Sequence, residues 1–188
     1  MRIWVMRHGE SETNKAGLWT GWQDAPLTEN GRRQALALRT LLSDQRFDKV
    51  FTSDLSRAKE TAEIALPGCE YEETALLREV NVGNIAGKPF HIVLDKDGKP
   101  THLDGYAHFG GETAIEFRDR IDAFMKRLQV EKCESIAVFA HAGVMRVFLE
   151  LTLGVRPMRG RVLCKNCAAA VFEYSKDSWH LYSWSNLE

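Results

Sequence analysis

The sequence contains no apolar run approaching the roughly 20 residues a membrane-spanning helix requires, so association with a bilayer is not expected. An excess of charge of either sign is missing too: 25 Lys and Arg stand against 26 Asp and Glu, a formal net charge of −1. No global field draws in nucleic acid or an anionic surface, and affinity for phosphate has to arise from a local cluster of positive groups. Cysteine is scarce, with only Cys69, Cys133, Cys164 and Cys167. The N-terminal MRIWVMRHGE is interrupted by Arg2 and Arg7 and is too short for a signal-peptide core, so the four are expected to be reduced thiols in the cytoplasm. Cys164 and Cys167 have the spacing of a metal or redox half-site, but no second half-site follows. The tract runs on as the apolar AAAVFEY, which reads as the start of a strand. Repeats, linkers and low-complexity tracts are absent, and 188 residues then read as a single domain covering 1–188. Leu187 and Glu188 read equally as native or as a vector remnant.

What is present is an alternation of short strands and amphipathic helices. RIWVMR is apolar and β-prone and runs into His8-Gly9. Thr28, followed by Glu29, has the form of a helix N-cap, and Ala35, Leu38, Leu41 and Leu42 follow at helical spacing. KVFTS, 49–53, is a second strand. A helix from near Asp54 puts Ala58, Ala62 and Ala65 or Leu66 on one face until Pro67-Gly68 stops it. Glu112-Thr113 opens a helix through Ile115, Phe117, Ile121, Phe124 and Leu128, and SIAVFAH, 135–141, is a third strand leading into the helix VMRVFLELTLG. AAAVFEY and WHLYSW read as two strands joined by a turn at Lys176-Asp177. Between them residues 80–111, rich in Gly and with Pro89 and Pro100, read as a long irregular excursion of the kind that forms lids. The alternation predicts an α/β sandwich with a largely parallel sheet, whose ligands bind beyond the carboxyl ends of the strands. Three predicted strands end at His8, Ser53 and His141.

Those ends carry chemistry. Arg7 precedes His8 and can grip phosphate oxygens with its planar donors, while Gly9 lets backbone pass close to the imidazole. Ser53-Asp54-Leu55-Ser56-Arg57 turns a strand into a helix with Arg57 in its first turn, where free N–H groups and the helix dipole attract anions. Standing alone, Arg57 would read as an exposed residue paired with Glu60 or Asp54. His141-Ala142-Gly143 opens a further helix. Two histidines and two arginines at strand ends make a cationic pocket suited to a phosphoryl group. Paired histidines also ligate zinc or iron, but carboxylates here are few, Glu10 and Glu79, and the arginines repel a dication. Neither a metal nor a cofactor is expected.

Arg7-His8-Gly9-Glu10-Ser11 with Asn14, then Thr20-Gly21-Trp22, Leu27-Thr28 and Gly31, resembles the signature of the histidine phosphatase, or phosphoglycerate mutase-like, superfamily. SDLSRAKETA (53–62), Leu77-Arg78-Glu79, Gly110-Gly111-Glu112-Thr113 and His141-Ala142-Gly143-Val144 follow in that family's order. The resemblance implies a three-layer α/β/α sandwich with a mostly parallel central sheet. It implies that His8 attacks phosphorus and becomes phosphohistidine, that Arg7, Arg57 and His141 bind the equatorial oxygens, and that Glu79 protonates the leaving oxygen and later deprotonates water. That role requires Glu79 to hold a proton near neutral pH, which a dry, phosphate-filled pocket favours. Asn14, Thr20, Gly21 and Ala142 fall at positions lining the phosphate or the substrate entrance. The family's aromatic near Ile85 or Ala86, its serine at Ala140 and its basic residue at Trp19 are not matched.

Three activities stay open at this point: a phosphomonoesterase of the 3.1.3 class acting on a small phosphorylated metabolite, a cofactor-dependent phosphoglycerate mutase using the same phosphohistidine, and a non-catalytic phospho-ligand binder on the same fold. Hydrolysis is favoured over the mutase because 80–110 is short and its Lys88, Lys96 and Lys99 are balanced by Asp95, Asp97 and Asp104. It is favoured over the binder because binding alone needs no proton donor such as Glu79. Phe90, His91, His102, Tyr106 and His108 are the specificity candidates in the excursion, and Arg156, Arg159, Arg161 and Lys165 read as a solvated loop rather than a nucleic-acid site. The expected partner is a small phosphate ester; the oligomeric state, homodimer included, is not legible.

Overall fold

The computed structural model describes residues 1–93, 104–155 and 162–187. Asp95, Lys96, Asp97, Lys99 and His102 of the excursion, Arg156, Arg159 and Arg161 of the basic stretch, and Glu188 lie outside the described residues.

Six strands form one mixed sheet: β1 (Arg2–Arg7), β2 (Lys49–Ser53), β3 (Glu72–Thr74), β4 (Ser135–Ala140), β5 (Ala169–Ser175) and β6 (Ser178–Ser185), in the order β3-β2-β4-β1-β5-β6. The first four are mutually parallel, and β5 and β6 add antiparallel at one edge. The SIAVFA run of β4 is apolar at nearly every position because a central parallel strand is covered on both faces. Its alternation divides the core in two. Ile136, Val138 and Ala140 join Ile3, Val5, Phe51 and Phe172 on one face, against α4 (Ala114–Gln129) and α5 (Ala142–Leu153). Ala137 and Phe139 join Met6, Val50 and Ala169 on the other, against α2 (Glu29–Leu42) and α3 (Ser56–Ala65). The result is the three-layer α/β/α sandwich.

Helix starts follow their capping chemistry. Thr28 accepts from the Gly31 N–H, and α2 buries Gly31, Ala35, Leu38 and Leu42. Thr113 and Glu116 close a capping box at the start of α4, which buries Phe117, Ile121, Phe124, Met125 and Leu128. Two expected core residues fall outside these stripes: Leu41 is 39% and Ile115 70% exposed. The helix expected from Asp54 begins two residues later at Ser56, because the Asp54 carboxylate is taken by Arg78 at 2.6 Å and caps nothing. A short α1 (Glu12–Lys15) follows β1, with Ser11 and Asn14 forming its capping box. Lys176 and Asp177 take φ of 50° and 57°, the left-handed pair of a two-residue hairpin turn between β5 and β6.

The strand read from AAAVFEY is β5, beginning at Ala169; the Cys164–Cys167 tract before it buries both thiols, leaves Lys165 exposed and turns at Cys167, φ 57°. In the excursion, Gly83–Ile85, Phe90–Val93 and Ala107–Phe109 are single 3₁₀ turns. Val82, Ile85, Val93 and Tyr106 form a small core with Trp19, and backbone hydrogen bonds from Gly87 N to Trp19 O (2.7 Å) and from Trp19 N to Lys88 O (2.9 Å) tie this segment to the loop after α1.

Because β1 and β4 are neighbours, the residues that follow them meet: the His8 N–H bonds the Ala140 carbonyl at 3.0 Å. β2 lies on the other side of β4, which brings Ser53 to the same edge.

Candidate active site

His8 leaves β1 through a loop squeezed between two helices. Gly9 N–H donates to Thr61 Oγ1 at 3.0 Å, and a Cβ on Gly9 would overlap the Gly31 carbonyl oxygen at the start of α2. Only glycine fits there. His8 Nδ1 lies 2.6 Å from the Gly9 carbonyl oxygen, a contact that needs the proton on Nδ1 and leaves the lone pair on Nε2. Arg57 donates its Nε–H to that Nε2 at 3.3 Å. Burial, then Arg57 and Arg7, hold the His8 pKa well below the ordinary histidine value, so the ring is neutral near pH 7.

Arg57 is 1% exposed, on the first turn of α3. Its terminal nitrogens donate to the Gly21 carbonyl at 2.9 Å and the Gln23 carbonyl at 3.0 Å. The carboxylates that could have paired with it are engaged elsewhere, Asp54 by Arg78 and Glu60 by Arg32. Burial lowers its pKa to about 10, which still leaves it charged at neutral pH. Arg7 donates to the Cys164 carbonyl at 2.5 Å, and its Nε is buried without a partner. His141, fully buried behind His8, sets its Nε2 2.9 Å from Ser53 Oγ and leaves Nδ1 unpaired; the two imidazoles meet edge to face at 5.1 Å. Burial, then Arg57, push its pKa well down too. The expected four-part cationic cluster is therefore corrected: the positive charge is that of the two arginines, and burial keeps both histidines neutral.

Glu79 stands across the cavity from these groups. Its Oε1 accepts from Val80 N–H at 2.9 Å and its Oε2 from Gly143 N–H, in the first turn of α5, at 3.0 Å. Burial lowers the pKa of both Arg7 and Arg57, and the nearby Glu79 offsets part of that effect.

A cavity of about 430 Å³ opens on Arg7, His8, Arg57 and Glu79. Asn14, Thr20, Gly21 and Ala142 all line it. Thr20 Oγ1 is bonded to Thr13 Oγ1 at 2.6 Å and so also holds its loop. Gly21 has φ 54°, and its carbonyl steadies Arg57. Asn14 Oδ1 accepts from Asn166 Nδ2 at 3.1 Å. Leu18, Trp19, Val82, Phe90, Tyr106 and Phe117 form an apolar part of the wall, and Arg118, Arg146 and Glu150 line it too. Of the other specificity candidates, His91 and His108 do not line it.

Two residues of the site's frame, Asn166 and Arg120, were not singled out in the sequence, and Trp22 entered it only as part of the signature. Asn166 donates to the His8 carbonyl at 3.2 Å from within the Cys164–Cys167 turn. Trp22 Nε1 and Arg120 both donate to the Glu79 carbonyl, at 2.7 and 3.3 Å. Their only local signals were a turn-type residue, an aromatic after Gly21 and one of many helix arginines. Among the described residues no group of three or more His, Cys, Asp or Glu could hold a metal ion.

A model of the histidine phosphatase superfamily (branch 1) matches residues 3–187. An adenosylcobalamin/α-ribazole phosphatase of Salmonella typhimurium is 33% identical over 157 residues, which are 79% of this chain and 78% of that protein. A probable phosphoglycerate mutase of Serratia proteamaculans is 28% identical over 193 residues, 98% of this chain and 90% of that one. The crystal structure of the α-ribazole phosphatase from Shigella flexneri superposes with a TM-score of 0.87 at 25% identity, covering 99% of this chain and 96% of that chain.

Proposed function

This chain belongs to the histidine phosphatase superfamily, and on that premise we propose that it is a phosphomonoesterase working through a phosphohistidine on His8. The observation that carries the reading is the lone pair on His8 Nε2, left by the Gly9 contact and faced by a buried arginine whose hydrogen bonds go to uncharged acceptors. His8 Nε2 attacks phosphorus in line as the ester P–O bond breaks, and Glu79 gives a proton to the departing oxygen. Water then attacks the phosphorus, Glu79 takes back a proton, and the N–P bond breaks to release inorganic phosphate. Arg7 and Arg57 hold the equatorial oxygens. His141, buried behind His8, has its role through Nδ1: a Ser53 hydroxyl that donates to its Nε2 leaves the imidazole proton on the unpaired Nδ1 for an equatorial oxygen. The preorganised donors act in a buried setting, where they are worth most.

The apolar wall of Trp19, Phe90, Tyr106 and Phe117 supports a substrate whose leaving group carries a flat apolar body. The α-ribazole ester implied by the name of the Salmonella relative belongs on the substrate panel beside sugar and nucleotide phosphates.

A metabolite phosphatase screen with the His8→Ala protein as control tests the reading. The native protein should release inorganic phosphate and trap acid-labile label on histidine, and the variant should do neither while keeping its circular dichroism spectrum. Undiminished turnover in the variant would sink the mechanism, and interconversion of 2- and 3-phosphoglycerate without net release would favour the mutase.

A further inference from the structure

Glu79 sits on a segment with little secondary structure, only a 3₁₀ turn at Ala75–Leu77 before it and another at Gly83–Ile85 after it. A carboxyl that must meet a leaving oxygen within hydrogen-bond distance needs a firmer support than that. The support comes from α4. Arg120 donates through one terminal nitrogen to the carbonyls of Leu76 (2.8 Å) and Arg78 (2.9 Å), and through the other to the carbonyl of Glu79 (3.3 Å). Glu112 holds the guanidinium in place, accepting from its Nε at 2.9 Å and from that second nitrogen at 2.8 Å; both side chains of the pair are only 14% exposed. The pair reaches past Glu79 as well, because Glu112 Oε2 accepts from Asn81 N–H at 2.7 Å. Backbone on both sides of Glu79 is thus clamped by one ion pair that does not itself line the cavity.

Resting on the reading of Glu79 as the proton donor, we infer that Arg120, fixed by Glu112, is a positioning residue for the Glu79 carboxyl. Arg7, His8 and Arg57 are anchored by β1 and α3 instead, through the Cys164, Gly9, Gly21 and Gln23 carbonyls. Loosening the clamp leaves these hydrogen bonds in place and acts first on the Glu79 segment, which meets the Arg57 anchor through the Trp22 Nε1 bond to the Glu79 carbonyl. Lysine cannot replace the arginine, because a single ammonium lacks the planar fork that meets three carbonyls and a carboxylate together.

Leaving-group dependence provides the test. An alkoxide leaves from phosphorus only with a proton supplied, whereas nitrophenolate leaves readily as the anion. The value of kcat/KM, which reports transfer to His8, should fall for Arg120→Ala by about 10–100-fold on an alkyl phosphate and by less than about threefold on p-nitrophenyl phosphate. Inhibition by inorganic phosphate should stay within about twofold of the native value, since its binding does not use the clamp. Arg120→Lys and the milder Glu112→Gln should show the same selective loss, and either serves if Arg120→Ala does not fold. Equal losses on both esters would mean a general structural role and overturn the inference. Glu79→Gln runs alongside: if it shows no leaving-group selectivity, the proton-donor reading itself fails and takes this inference with it; if Glu79→Gln is selective and the clamp variants are not, the clamp inference alone falls.

Discussion

Arg57 donates its Nε–H to Nε2 of His8 across 3.3 Å while its two terminal nitrogens are fixed to the Gly21 and Gln23 carbonyls. The guanidinium is aligned on three acceptors at once, none of them charged, so its position is set before any phosphate arrives. An anion entering this space meets a buried cation whose desolvation is already part of the folded state.

Arg57→Ala should lower kcat/KM about 10²–10³-fold, the usual effect of deleting one preorganised donor to a transition-state oxygen. Arg57→Lys should recover less than about tenfold of that, because one ammonium cannot reach two carbonyls and His8 together. Steady-state kinetics on p-nitrophenyl phosphate decide it; near-native turnover by the lysine variant would contradict the proposed role.

Both histidines are held well below their ordinary pKa by burial and the neighbouring arginines. Unfolded, they take up protons near pH 6.5; folded, they resist until a lower pH. As pH falls below about 6.5 the unfolded chain binds more protons, so stability falls, by up to about 1.4 kcal/mol per pH unit for each histidine, and above that pH neither contributes. Urea unfolding between pH 5.5 and 7.5 should show this slope, reduced in His141→Gln; an unchanged slope in that variant refutes it. The same neutrality predicts a kcat/KM whose acid limb lies below about pH 6.5.

Gly143 has a helical backbone, so alanine is allowed there and would gain up to about 1 kcal/mol in helix propensity. Its methyl, however, would overlap Glu79 Oε1 and come within 3.1 Å of the Phe117 ring. Gly143→Ala should therefore keep native stability within about 1 kcal/mol and yet lose tenfold or more in kcat/KM on an alkyl phosphate, by about the sensitivity expected of a displaced catalytic group. Thermal melts and kinetics on the same preparation separate the two.

Trp19 packs edge to face on Phe90 and Tyr106, at 5.1 and 5.5 Å, and forms part of the apolar wall. Trp19→Ala should raise KM for naphthyl phosphate by about tenfold, equivalent to about 1.4 kcal/mol of lost apolar contact, and leave ethanolamine phosphate nearly unaffected. An equal effect on both esters would mean that the wall does not contact the leaving group.

With the phosphate grip supplied by arginines, treatment with a chelator should leave turnover unchanged. Loss of activity restored by an added divalent ion would revive a metal-assisted reaction.

Much of this molecule is written locally. The apolar runs of β1 and β4, the Thr28 and Thr113 caps and the Lys176-Asp177 turn depend on neighbours a few residues away, and each was readable for that reason. So was the placement of His8 and His141 just past two strands. Local pattern also misled where it stopped at spacing: Leu41 and Ile115 have helical periodicity but no opposing layer to cover them. What only the tertiary structure decided is the state of the site. His8 joins Arg57 49 residues away and Asn166 158 residues away, and the Glu79 carbonyl accepts from Arg120 on α4. A sequence names the charged and titratable groups, but their protonation and aim come from burial and from partners brought together across the sheet edge, where desolvation outweighs their intrinsic chemistry.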